Sequence, residues 1–187
     1  MSEQVTLLSR LILVTGPARS GKSEWAESLA QKSGLTVIYI ATSQLDSSDT
    51  EWQNRIQKHQ QRRPADWNTL EVTVDLAANL REYSQPETCI LVDSLGTWLA
   101  NILDQNDQVW QQTLDDLILT LKETSGQIIF VAEETGWGVV PAYPVGRLFR
   151  DRLGTLVRKI GAISNPVYLI TAGHILNLSQ LGEPLDC

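Results

Sequence analysis

Cysteine is scarce in this sequence. Its two examples, Cys89 and Cys187, are too few and too far apart for a disulfide framework or a zinc cluster. Cys89 opens an apolar run and reads as a buried thiol acting as a small hydrophobe. Long apolar runs are missing too. The first, Leu11 to Val14, follows one basic residue, Arg10, and is far too short for a signal peptide or a membrane span, so a cytoplasmic location is expected. Positive charge is also short: 15 Lys and Arg against 22 Asp and Glu leave a formal net charge of -7. That balance argues against general binding to nucleic acid, which needs a basic face. Repeats, low-complexity tracts and linkers are lacking. With 187 residues, 42% of them hydrophobic, the chain reads as one domain over residues 1–187 with a sizeable core.

Five short apolar runs are present instead: Leu11–Thr15, Thr36–Ala41, Cys89–Asp93, Gln127–Ala132 and Val167–Thr171. Continuous rather than alternating apolarity predicts strands buried on both faces, as in a parallel sheet. Between them lie helical patterns. Asp107–Glu123 sets Trp110, Leu114, Leu117, Ile118 and Leu121 on one stripe, with Asp107 as N-cap, and Arg147–Ile163 does the same with Leu148, Leu153, Leu156, Val157 and Ile160. The alternation predicts an α/β fold, a mostly parallel sheet with helices on both faces. The polar stretch from Ser43 to Asn68 reads as a functional insertion holding one helix, about Glu51 to Gln61, that ends before Pro64.

The first apolar run leads into Gly16-Pro17-Ala18-Arg19-Ser20-Gly21-Lys22-Ser23, which matches GxxxxGK[ST]. Glycines at both ends let the backbone curl its N–H groups around a phosphate. Lys22 then brings a charge to the β- and γ-phosphates, and the Ser23 hydroxyl suits Mg²⁺. An amphipathic helix follows, with Trp25, Ala26, Leu29 and Ala30. Its N-terminal end adds a positive dipole. A phosphate loop of this kind needs a carboxylate at the end of a neighbouring strand to hold Mg²⁺. Asp93, closing Ile90-Leu91-Val92, supplies it; the alternative is a helix cap before Ser94.

In Arg55 to Pro64, four cations (Arg55, Lys58, Arg62 and Arg63) surround His59 with no carboxylate among them. A basic run is commonly a wet face, and a lone histidine on it merely solvated. The alternative is a polyphosphate partner, with neighbouring cations keeping the imidazole neutral and nucleophilic. The other histidine, His174, follows the last apolar run and reads as a surface or capping residue. Arg147, Arg150 and Asp151 either bind phosphate or form a surface ion-pair network. Trp137, between two glycines, reads as an exposed loop aromatic.

Six blocks carry a resemblance over nearly the whole chain: Ile12–Ser23, Tyr39–Gln44, Arg55–Glu71, Leu91–Leu103, Glu134–Pro141 and Gly146–Gly154. Together they resemble the bifunctional adenosylcobinamide kinase/adenosylcobinamide-phosphate guanylyltransferase family of cobalamin biosynthesis. The resemblance implies a P-loop NTPase-like domain that phosphorylates the corrinoid adenosylcobinamide with ATP or GTP. It then implies transfer of GMP from GTP to that phosphate, with Mg²⁺, through a guanylylated His59. By the same resemblance the nucleotide is contacted by Gly16 to Ser23, by Ala41, Thr42 and Ser43, by Gln60, Gln61, Arg62 and Arg63, and by Glu71 and Asp93. A homotrimer with active sites near subunit boundaries is also implied. The chain departs from the family pattern at Pro17, Lys58, Arg62 and Glu133, where relatives can carry glycine, histidine, glycine and asparagine respectively.

Overall fold

The computed structural model describes residues 10–43 and 63–185. The helix expected at Glu51 to Gln61, and with it His59, Gln60, Gln61 and Arg62, lies outside the described residues, as does Cys187.

In chain order the elements are β1 (Leu11–Gly16), α1 (Lys22–Lys32), β2 (Thr36–Ala41), β3 (Asn68–Glu71), α2 (Leu76–Tyr83), β4 (Thr88–Asp93) and α3 (Leu95–Asn101). Then come α4 (Asp107–Glu123), β5 (Gln127–Glu133), α5 (Pro144–Ile163), β6 (Val167–Thr171), β7 (His174–Asn177) and α6 (Leu178–Leu181). All seven strands join one sheet in the order β3-β2-β4-β5-β1-β6-β7. Every pairing is parallel except the last, where β7 returns antiparallel to β6. The fold is therefore the α/β, mostly parallel arrangement that the apolar runs predict.

Five strands coincide with those runs to within a residue at either end. The other two, β3 and β7, are short and at the edges, and their residues are mostly exposed. Edge strands bury one side or neither, so they leave no apolar run to read. β7 forms by a two-residue turn in which Ala172 and Gly173 both take left-handed φ, 49° and 74°, the backbone that a tight hairpin demands.

Alternate residues of the strands enter two cores. On one face Leu13, Ile40, Val92, Ile128 and Phe130 meet Leu76, Leu80, Trp98, Leu114, Leu117, Leu153 and Ile160 from α2, α3, α4 and α5. On the other, Ile12, Val14, Leu91 and Val131 meet Ala26 and Ala30 of α1. The small alanines let α1 approach closely, which seats its N-terminus over the carboxyl edge of the sheet.

Two helix details differ from expectation. The N-cap of α4 is Asn106, whose side chain accepts from the Val109 N–H, and Asp107 is the first helical residue. In α5 the helix begins three residues earlier, at Pro144, and Leu148 is exposed rather than on the buried stripe. Buried Arg152 takes space on that helix face, donating to the Leu103 and Gln105 carbonyls and to Asp107.

Candidate nucleotide site

The carboxyl ends of β1, β4 and β5 form the centre of the site. Gly16 ends β1 where a Cβ would overlap the Ile170 carbonyl oxygen and crowd Ser20 Oγ, so only glycine fits. Gly21 takes φ 92°, which glycine adopts without strain, and serves as N-cap of α1 without any side-chain cap. The first N–H groups of α1 are thus left for an anion. Arg19 also has positive φ, 61°, so the loop curls as a phosphate cradle must. Of its residues Ala18 and Arg19 are exposed and Pro17 and Ser20 half-buried, and the Ser20 hydroxyl is buried without a partner among the described residues.

Lys22 is 7% exposed, and its ammonium donates to the Pro17 carbonyl at 3.4 Å. Among the described residues it forms no ion pair. Burying a charge without a counter-ion is costly, and an anion entering the loop would offset that cost.

Asp93 ends β4 beside it. One carboxylate oxygen accepts from Ser23 Oγ at 3.4 Å and the other from Tyr39 Oη at 2.8 Å. The helix-cap alternative for Asp93 does not hold: Ser94 is the N-cap of α3, its side chain accepting from the Thr97 N–H. A hydroxyl and a carboxylate, both hard oxygen donors, therefore meet beside the phosphate loop, a pair that suits Mg²⁺ completed by phosphate oxygens and water. Among the described residues no cluster of three or more His, Cys, Asp or Glu could hold a metal on its own.

Tyr39 has its pKa raised, first by burial and then by the nearby Asp93 charge. Its ring is covered by Trp67, 6.5 Å away and nearly parallel, and by the Arg63 guanidinium, 3.5 Å from the ring centroid. Arg63 is thereby brought to within one side chain of Asp93. Ala41 is in register with both Glu71 and Asp93, so the three line the same sheet edge, with Glu71 exposed at the end of β3. Thr42 is fully buried. Its hydroxyl donates to the Ser94 carbonyl and accepts from the Ser94 N–H, which fixes the turn after Asp93. Ser43 is half-buried next to it.

Arg147 and Arg150 form no surface ion-pair network among the described residues. They clasp backbone carbonyls instead, Arg147 those of Pro141 and Ala142 and Arg150 that of Gly136. His174 is exposed, its Nδ1 2.9 Å from the Ala172 carbonyl oxygen, and Trp137 is exposed.

A family model described as cobinamide kinase / cobinamide phosphate guanyltransferase matches residues 12–178. The chain belongs to that family. Among its relatives is the bifunctional adenosylcobalamin biosynthesis protein CobP of Pseudomonas aeruginosa, 45% identical over 92% of this chain and 98% of that protein. The CobU proteins of the same description from Salmonella typhimurium and Escherichia coli are 35% and 33% identical, each over 87% of this chain and 96% of theirs. A solved protein from Pyrococcus horikoshii OT3 shares the fold, with a TM-score of 0.56 at 11% identity, covering 89% of this chain and 84% of that one. No helix among the described residues is long and apolar enough to cross a membrane, in keeping with a family of biosynthetic enzymes.

Two contributors to this family member's site escape a reading of the sequence. Tyr39 is one, although a tyrosine in a fully buried strand must find a partner for its hydroxyl, and that demand is a usable signal. Glu133 is the other. It ends β5 and accepts from Ser94 Oγ at 2.5 Å and from the Gly96 N–H at 2.9 Å, pinning the start of α3. A Cβ on Gly96 would overlap the Glu133 carboxylate, which would have to leave the Gly96 N–H to make room. Asn101, at the other end of α3, donates to the Thr42 and Thr73 carbonyls and ties that helix to the segments after β2 and β3.

Proposed function

We propose that this chain phosphorylates the hydroxyl of adenosylcobinamide with ATP or GTP and then joins GMP from GTP to the phosphate so formed. The observation that carries this reading is the buried Lys22 ammonium, set in a glycine loop beside the Ser23–Asp93 pair. In the first reaction the acceptor hydroxyl oxygen attacks the γ-phosphorus, its proton passes to solvent, and the nucleoside diphosphate leaves. Lys22 and the N–H groups of the loop stabilise the charge that accumulates on the phosphate oxygens. Mg²⁺ held by Ser23 and Asp93 would neutralise the β- and γ-oxygens.

In the second reaction a ring nitrogen of His59 attacks the α-phosphorus of GTP. An N–P bond forms, the bond to the bridging oxygen breaks, and pyrophosphate leaves. A phosphate oxygen of the acceptor then attacks the same phosphorus and the N–P bond breaks, giving adenosylcobinamide-GDP and the free imidazole. The family membership supports both activities. Support for His59 comes from its neighbours: four residues further on, Arg63 stacks on the tyrosine that donates to Asp93. Four residues of chain span at most ~14 Å, which supports an imidazole able to reach a triphosphate on Lys22. Gln60, Gln61, Arg62, Ala41, Ser43 and Glu71 remain as contacts for the nucleotide in this reading, and a homotrimer is its assembly. Apolar Ile175, Leu181 and Leu185, exposed near the β7 edge, support a subunit contact.

Incubation with α-labelled GTP and Mg²⁺ is expected to give an acid-labile, base-stable labelled protein, and His59→Asn is expected to abolish the label. Normal labelling of the variant would remove His59 from the mechanism. Phosphorylation of other alcohols, without pyrophosphate release when cobinamide phosphate is supplied, would make the chain a kinase of another metabolite.

A further inference from the structure

A cavity of about 560 Å³ lies between the loop after β5 and the middle of α5, with Glu133, Glu134, Gly136, Arg150, Gly154 and Arg158 in its wall. It adjoins the phosphate loop. Glu133 is in register with Gly16, and the next N–H, of Glu134, donates to the Gly16 carbonyl at 3.0 Å.

Gly154 stands near the middle of a 20-residue helix, where glycine is the poorest choice short of proline. Nothing among the described residues requires it, because an added Cβ would meet none of their atoms within 4 Å. Gly161 of the same helix is different: a Cβ there would come within 3.4 Å of Leu13 Cδ2, the signature of close helix-to-sheet packing. A glycine that costs helix stability and faces a cavity keeps space open that no described residue fills.

Arg150 indicates what that is. Its Nη2 donates to the Gly136 carbonyl at 2.7 Å, while Nη1 is buried with no hydrogen-bond partner among the described residues, an arrangement that costs its desolvation. Neither Arg150 nor Arg158 pairs with a carboxylate among the described residues. Of the three acidic residues of the wall, Glu133 accepts from Ser94 and Gly96 and Glu134 from the Gly136 N–H, while Asp151 forms no ion pair with either guanidinium among the described residues. None of these carboxylates accepts from Arg150 among the described residues, and its guanidinium, turning toward a bound anion, could hold two of its oxygens at once.

We infer that this cavity holds the phosphate-bearing arm of the acceptor, a phosphate monoester on a larger polar molecule, with Arg150 as its anchor and Gly154 giving it space. The inference rests on the function proposed above and deepens it. The product of the kinase reaction is the substrate of the transfer reaction, so a phosphate seat next to the loop retains it between the two. Trp137, Val139 and Val140, exposed on the loop that rims the cavity, offer apolar surface to the rest of a large acceptor.

The test uses full-length protein with adenosylcobinamide phosphate and GTP. Arg150→Gln and Gly154→Leu are each expected to raise the KM for the corrinoid phosphate at least ~10-fold, the loss of a charge-assisted hydrogen bond or of the space for one, while GTP affinity stays within about twofold. An unchanged acceptor KM in both variants overturns the inference. So does a change in sedimentation of Gly154→Leu with acceptor KM unaltered, which would make the wall a contact between subunits. Inactivity of the unaltered protein toward cobinamide phosphate would count against the proposed function instead. The cavity is then judged by calorimetric titration with aminopropanol phosphate, the loop being saturated with a non-hydrolysable nucleotide. Binding that Arg150→Gln abolishes upholds the seat, and equal or absent binding in both proteins overturns it.

Discussion

Two carboxylates end neighbouring strands on the same sheet edge, and they are held in different ways. Asp93, at the end of β4, accepts from two hydroxyls, one of them the Ser23 hydroxyl of the phosphate loop. Glu133, at the end of β5, accepts from a hydroxyl and a backbone N–H at the start of α3. A hydroxyl can turn its proton away and ligate a cation together with the carboxylate it had been bonded to. A backbone N–H cannot turn, so it commits the carboxylate to the fold. Position on the sheet edge is therefore not enough to assign chemistry to an acidic residue. The identity of its donors decides whether it remains able to serve a ligand.

The sharpest way to break this comparison is to neutralise the first carboxylate. Asp93→Asn is expected to lower kcat of the kinase reaction by about 100-fold or more, the usual cost of removing a preorganised charge from a phosphoryl-transfer site, with little loss of stability. Steady-state rates and a melting curve on the same sample check both halves. A large fall in Tm with turnover retained would make Asp93 the structural member of the pair.

Next in size is an attack on the second carboxylate through its neighbour. Gly96→Ala forces a methyl against Glu133, and overpacking of this kind costs about 2 kcal/mol. For a chain of this length that lowers Tm by roughly 4–8 °C. The Mg²⁺ dependence of GTP binding is expected to stay as it was, since Ser23 and Asp93 are untouched. Calorimetry with and without Mg²⁺ separates the two effects.

The smallest effect concerns the tyrosine that holds Asp93. Burial, with the Asp93 charge, raises the Tyr39 pKa above its ordinary 10.0, so the folded protein keeps a proton that the unfolded chain releases. Stability from this group is full below pH 10 and is lost as pH rises above it, by at most about 1.4 kcal/mol per pH unit. Cys89 adds to the same alkaline loss between its ordinary 9.0 and about 11, because burial pushes its thiol up. Tyr39→Phe is expected to flatten the slope above pH 10 in denaturant titrations. An unaltered slope would mean that burial and the Asp93 charge do not hold the Tyr39 proton.

How much of this was legible in the sequence follows from where each feature is encoded. Strands buried on both faces announce themselves as apolar runs, so β1, β2, β4, β5 and β6 were readable, whereas Asn68–Glu71 and His174–Asn177 hide at edges. The phosphate loop is local, eight consecutive residues whose spacing has one purpose, and Asp93 is marked by the run it closes. Cys89 reads correctly for the same reason, and it is fully buried. Tyr39 and Glu133 act on partners 54 and 39 residues away, and only the strand order β2-β4-β5 brings them together. The cavity is less legible still, since its walls come from a loop and a helix whose separation no local pattern records. Asn106 took the capping role expected of Asp107 because both residue types cap well and adjacent candidates differ by only one step of backbone.

The account's central claim is a covalent one, and it can be read directly from a digest. Protein incubated with GTP and Mg²⁺ and cleaved by trypsin at neutral or alkaline pH is expected to carry GMP on the peptide His59-Gln60-Gln61-Arg62, which cleavage after Lys58 and Arg62 releases. A GMP adduct found on the peptide containing His174, or nucleotide turned over to adenosylcobinamide-GDP with no adduct on any histidine, would contradict it.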